Sequence, residues 1–166
     1  GLTDEMYNAL KDVVAVAKFR NSITKLQIQQ QQPGKEPLVI PGRTVVALST
    51  VPAKMIFDKE EIVVKAGAAI TLIFENPDGM PHNIVIGKPG SIEKVGRAAD
   101  AMAAQKNGYE KNFVPSIPEV LFSTPLIQSG KSYRLDFNAP KKPGAYPFVC
   151  TFPGHWQTMK GIIKVE

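Results

Sequence analysis

Sulfur and imidazole are scarce in this chain: its 166 residues include one cysteine, two histidines and one tryptophan. A single cysteine excludes an internal disulfide, and an odd cysteine needs another explanation. No apolar run approaches the ~18 residues that span a bilayer. The opening Gly1-Leu-Thr-Asp lacks the basic and then apolar plan of a signal peptide. The expectation is a soluble, processed chain or a piece of a larger parent. A net charge of +5 is spread without a basic run, the pattern of a solvated surface, so no nucleic-acid partner is expected. No internal repeat is evident.

What is present fits one domain with an ample core, plus an extension. The chain is 43% hydrophobic. Residues 1–43 form the expected extension and 44–166 the expected domain. In the first part, Leu2, Met6, Leu10, Val13, Val14 and Ala17 recur at helical spacing, with Thr3 as N-cap and Asp4 and Glu5 in the first turn. This predicts an amphipathic helix over 3–23, whose apolar face packs on the following domain, on a second chain or on another domain. Residues 27–41, with four consecutive glutamines and then Pro33-Gly34, Pro37 and Pro41-Gly42, read as a linker.

From residue 44 the chain changes to short β segments punctuated by Gly and Pro. Strands are predicted over 44–49, 55–58, 61–65, 69–76, 83–86, 132–138, 145–150 and 160–166. Tyr133, Leu135 and Phe137 alternate as a half-buried strand does. Many short strands at this spacing predict an all-β antiparallel sandwich. One insertion interrupts them: Ile92, Val95, Ala98, Ala99, Met102 and Ala103 predict a helix over 91–105, with Ser91 as N-cap and Gly108 as its stop. Residues 109–125 read as an irregular return.

The chemistry-bearing residues are concentrated. Tyr146-Pro-Phe-Val-Cys150-Thr-Phe-Pro-Gly-His155-Trp-Gln-Thr-Met159-Lys-Gly161 holds the only cysteine, one histidine and a methionine. The other histidine follows a turn-forming cluster, in Asn76-Pro-Asp-Gly-Met-Pro-His82-Asn-Ile-Val-Ile86. A lone cysteine is ordinarily a small buried hydrophobe, and Met159 alone reads as core. Their conjunction between two strand-like segments reads otherwise. Thiolate, two imidazoles and a weak thioether suit copper cycling between Cu(I) and Cu(II), the arrangement used for electron transfer. The expected copper ligands are His82, Cys150, His155 and Met159. Pro153-Gly154 supports the tight turn that presents His155.

Cys150-Thr-Phe-Pro-Gly-His155 and Met159-Lys-Gly161 closely resemble the C-terminal ligand loop of azurins and auracyanins, in the cupredoxin family. Pro81-His82-Asn83 is more similar to plastocyanin or auracyanin. The resemblance covers about residues 44–166. It implies a Greek-key cupredoxin β-sandwich with a helical flap, here carrying an N-terminal helical extension, and one type 1 copper per chain. It implies that Asn83 ties the two ligand loops together through Thr151, with Pro81 beside the metal. It also implies that His155 exposes an edge beneath an apolar patch of Met80, Pro81, Phe152 and Pro153, with Trp156 either joining the patch or packing inward.

The implied function is a blue-copper electron carrier, not an enzyme, exchanging electrons with redox proteins such as cytochrome c or a fused redox domain. The implied location is periplasmic or extracellular in a bacterium. Two alternatives stand beside it: copper storage or delivery, and the electron-transfer domain of a larger copper or haem enzyme. Copper enzymes of the nitrite-reductase or multicopper-oxidase kind need further histidines, and a binuclear CuA centre needs two cysteines. Zinc suits the same ligands.

Overall fold

The computed structural model describes residues 38–166. The predicted helix over 3–23 and residues 27–37 of the linker lie outside the described residues. Within them nine strands form two sheets: β1 (Thr44–Val51), β2 (Ile56–Phe57), β3 (Glu61–Val64), β4 (Ala69–Asn76), β5 (Val85–Gly87), β6 (Val120–Ser123), β7 (Lys131–Asn138), β8 (Gly144–Val149) and β9 (Lys160–Val165). A helix, α1 (Ile92–Ala103), lies between β5 and β6 in the chain.

One sheet has the order β2-β1-β4-β7 and the other β3-β9-β8-β5-β6. Alternation along β4 turns Ile70, Leu72 and Phe74 into the core, where Leu48, Phe57, Phe148 and Ile163 meet them. β8 is buried on both sides. Phe148 belongs to the sandwich core, while Val149 packs with Val85 of β5 and Val95 of α1 in a second cluster. That double burial is why Tyr146-Pro-Phe-Val reads as a continuous buried run. Arg43, at the edge of the expected extension, donates to the Thr71 hydroxyl and pairs with Asp136.

Five expectations need correction. The sandwich is not wholly antiparallel, since β1 pairs with β4 and β3 with β9 in parallel. The return over 109–125 contains β6, held by antiparallel pairing with β5. Met55 belongs to a turn, with a left-handed φ of 53°, and the strand starts at Ile56. At the start of α1, Ser91 stands in the N-cap position without a side-chain cap. Its backbone is helical (φ −91°, ψ 0°), whereas a capping side chain reaches the first turn from an extended backbone. The helix ends at Ala103, before Gly108.

Candidate metal centre

The loop between β8 and β9 is closed at its base by Cys150 N–H donating to Met159 C=O at 2.9 Å. Within it, His155 N–H donates to Phe152 C=O at 3.0 Å and Met159 N–H to His155 C=O at 2.8 Å. Gly154 sits at φ +83°, a left-handed conformation that glycine adopts without a Cβ penalty. This turn brings His155 back over Cys150. From the other side comes His82, whose backbone exchanges two hydrogen bonds with Ile127, at 3.2 and 2.7 Å.

The two imidazoles converge on the thiol. Nδ1 of His82 lies 3.7 Å from Cys150 Sγ, and Nδ1 of His155 lies 3.6 Å from it. Donor atoms of the three residues all fall within 4.8 Å of one another. The rings are 5.0 Å apart between centroids. His82, Cys150, His155 and Met159 are all buried, and only His155 keeps any accessible surface, 2%. The edge expected to be exposed is therefore nearly closed. Phe152 packs against the His155 ring with centroids 4.9 Å apart, and Phe113 packs edge-on to Phe152.

Hydrogen bonds hold the two segments in register. Asn83 Nδ2 donates to Thr151 Oγ1, and Thr151 N–H donates back to Asn83 Oδ1, each at 2.8 Å. Asn83 Nδ2 also donates to Asn112 C=O at 2.8 Å, which adds the segment after α1. Met80 is 41% exposed, and Pro81, Phe152 and Pro153 are half-buried. Trp156 packs on α1, with Nε1–H donating to Asp100 Oδ2 at 2.8 Å.

Asp78 received no role from the sequence. Its Oδ2 accepts from His82 Nε2–H at 2.7 Å and its Oδ1 from Ala53 N–H at 2.9 Å. In Asn76-Pro-Asp-Gly an aspartate reads as a turn former. The available signal was its position four residues before a histidine expected to bind copper, on the same loop.

The comparisons with known proteins fit this geometry. The sequence profile of copper binding proteins of the plastocyanin/azurin family matches residues 44–166. The chain belongs to that family. Auracyanin-A of Chloroflexus aurantiacus is 29% identical, over 75% of this chain and 76% of its own length. Azurin iso-2 of Methylomonas sp. is 32% identical, over 68% of this chain and 90% of its own. The solved structure of auracyanin A, described as a "blue" copper protein of Chloroflexus aurantiacus, superposes with a TM-score of 0.68 at 28% identity, covering 75% of this chain and all (100%) of that one.

As a member of the blue copper proteins, this chain is an electron carrier rather than an enzyme, and copper is its cofactor. The donor set passes a chemical test for that metal. A thiol and imidazole nitrogens without competing carboxylate oxygens at the centre suit copper better than magnesium or calcium. Burial pushes the Cys150 thiol up to about 11, while the Asn83 and Phe152 N–H groups pull it the other way. His155 is pushed down to about 4, first by burial and then by the neighbouring His82, with Asp78 opposing. At neutral pH the free site therefore presents a thiol and a neutral His155, and loading releases the thiol proton.

Proposed function

We propose that His82, Cys150, His155 and Met159 hold one type 1 copper, and that electrons pass between it and partner proteins at the surface nearest His155. Copper bound there supplies a one-electron couple between Cu(II) and Cu(I). The protein's part is to keep the donors still. Ligands on a loop closed at its base, joined to His82 through Asn83 and Thr151, resist rearrangement between the two oxidation states. Met159, buried at the end of that loop, would supply the weak thioether donor.

The observation that carries this reading is the convergence of two imidazole Nδ1 atoms on one buried thiol. The donors' burial also argues against storage or delivery, which favours exposed clusters that release metal. His155, the one ligand with residual surface, supports the exit route. Met80, Pro81 and Pro153 provide an apolar rim there, while Trp156 acts mainly as a strut between the loop and α1. A redox protein such as a cytochrome c, or a redox domain in the same polypeptide, fits such a rim. Among the described residues no helix is long and apolar enough to cross a membrane. We place the protein in the periplasm or outside the cell, by analogy with its relatives.

The test is repeated redox cycling of copper-loaded protein with ascorbate and ferricyanide in the presence of a Cu(I) chelator. Retention of one copper per chain through many cycles supports the carrier. Loss of copper to the chelator at each reduction identifies a delivery protein instead.

A further inference from the structure

His82 reaches the centre through Nδ1 and leaves Nε2 on the far side of the ring. That far nitrogen faces a carboxylate: Asp78 Oδ2 lies 2.7 Å away, and Asp78 is itself buried. Asp78 is anchored at its carboxylate and again at its backbone. Ala53 N–H donates to Oδ1 at 2.9 Å, and Asp78 N–H donates to Asn76 Oδ1 at 3.1 Å. Asn76 is in turn fixed by Thr50 Oγ1 at 2.9 Å and by its own donation to Met80 and Ile127 carbonyls at 2.7 and 2.8 Å. The turn that brings Ala53 to this point is strained, with φ of 60° at Ala53 and 53° at Met55. Non-glycine residues in that region are disfavoured, and persist where surrounding structure over-determines them.

We propose that Asp78 is a positioning residue that sets the copper's reduction potential through His82. The inference rests on the copper-site reading above. An acceptor on Nε2–H fixes the imidazole tautomer, so that the Nδ1 lone pair faces the centre, and it locks the ring's orientation. Because the acceptor is an anion, it also makes the imidazole a stronger donor and places negative charge behind it. Both effects stabilise Cu(II) more than Cu(I). Asp78 therefore lowers the potential relative to a neutral acceptor in the same place. The hydrogen bonds from Ala53 N–H and His82 hold the two carboxylate oxygens in place.

Voltammetry of copper-loaded wild type and Asp78→Asn, paired with competition measurements of Cu(II) and Cu(I) affinity, tests this. The amide keeps the volume and removes the charge. The expected result is a loss of Cu(II) affinity, relative to Cu(I), of about tenfold, at the low end of the 10–100-fold typical for partners behind a ligand. Tenfold corresponds to a rise of about 59 mV in a one-electron couple. Nitrogen-15 NMR of metal-free wild type needs no variant: the His82 ring is expected to be protonated at Nε2 and bare at Nδ1. A folded Asp78→Asn protein with unchanged potential and only lower stability makes Asp78 a structural anchor and overturns the proposal. So does a His82 ring protonated at Nδ1. If wild type forms no blue Cu(II) complex, the functional reading itself has failed and takes this inference with it.

Discussion

Gly96→Ala puts a methyl group between α1 and the ligand loop, and two opposing effects decide its outcome. A Cβ at Gly96 falls 2.1 Å from Cδ2 of Trp156 and 2.5 Å from Cε2 and Cε3. The indole is not free to swing away, because its Nε1–H is bound to Asp100 at 2.8 Å. In a helix interior, Ala is favoured over Gly by roughly 1 kcal/mol. Against this, overpacking costs about 1–3 kcal/mol, and a displaced indole gives up a hydrogen bond contributing about 0.5–1.5 kcal/mol. The costs exceed the gain over most of these ranges, and a net loss of up to about 3.5 kcal/mol is expected. Urea unfolding of metal-free protein, followed by circular dichroism, measures it. The decisive control is the same substitution in a Trp156→Ala background, where the collision is gone and the sign should reverse to a gain of about 1 kcal/mol. Stabilisation by Gly96→Ala in the wild-type background, or equal loss in both backgrounds, refutes the argument that Trp156 struts the loop against α1.

Three further outcomes are expected. Met159→Gln should retain copper but lower the potential, since an oxygen donor favours Cu(II) over the thioether; voltammetry of the pair shows it, and an unchanged or raised potential counts against axial ligation. Met80→Lys should slow electron self-exchange, read from NMR line broadening in mixed redox states, with the visible spectrum unaltered, because a charge on an apolar rim adds desolvation cost on docking. In metal-free protein, His155 titrates at about 4, below the ordinary 6.5, so the unfolded chain binds the proton more readily. Its contribution is full above about pH 6.5 and falls as the pH drops toward 4, which urea unfolding across that range detects as falling stability.

The candidate loop was legible because Cys150, His155 and Met159 lie within ten residues of one another, and cysteine and histidine are rare in this chain. His82 followed from ligand chemistry. The helix over 91–105 and most strands were legible as periodicity. What stayed hidden depended on partners distant in sequence. Val120–Ser123 is four half-buried residues among prolines, and it is a strand because β5 pairs with it. The parallel pairings of β1 with β4 and β3 with β9 follow from chain crossovers that strand patterns do not encode. Trp156 was ambiguous because its partner, Asp100, lies 56 residues away. Asp78 resembled an ordinary turn residue because its place behind His82 is fixed by Ala53, from a turn 25 residues earlier.

One buried thiolate, two imidazoles and a thioether are proposed to form a type 1 copper site. Visible and electron paramagnetic resonance spectra of stoichiometrically Cu(II)-loaded wild type, beside Cys150→Ser, test it most directly. An intense thiolate-to-copper band and a narrow copper hyperfine splitting are expected in wild type, both lost on Cys150→Ser. A colourless wild type carrying one Cu(II) per chain, or a band that survives in Cys150→Ser, contradicts it.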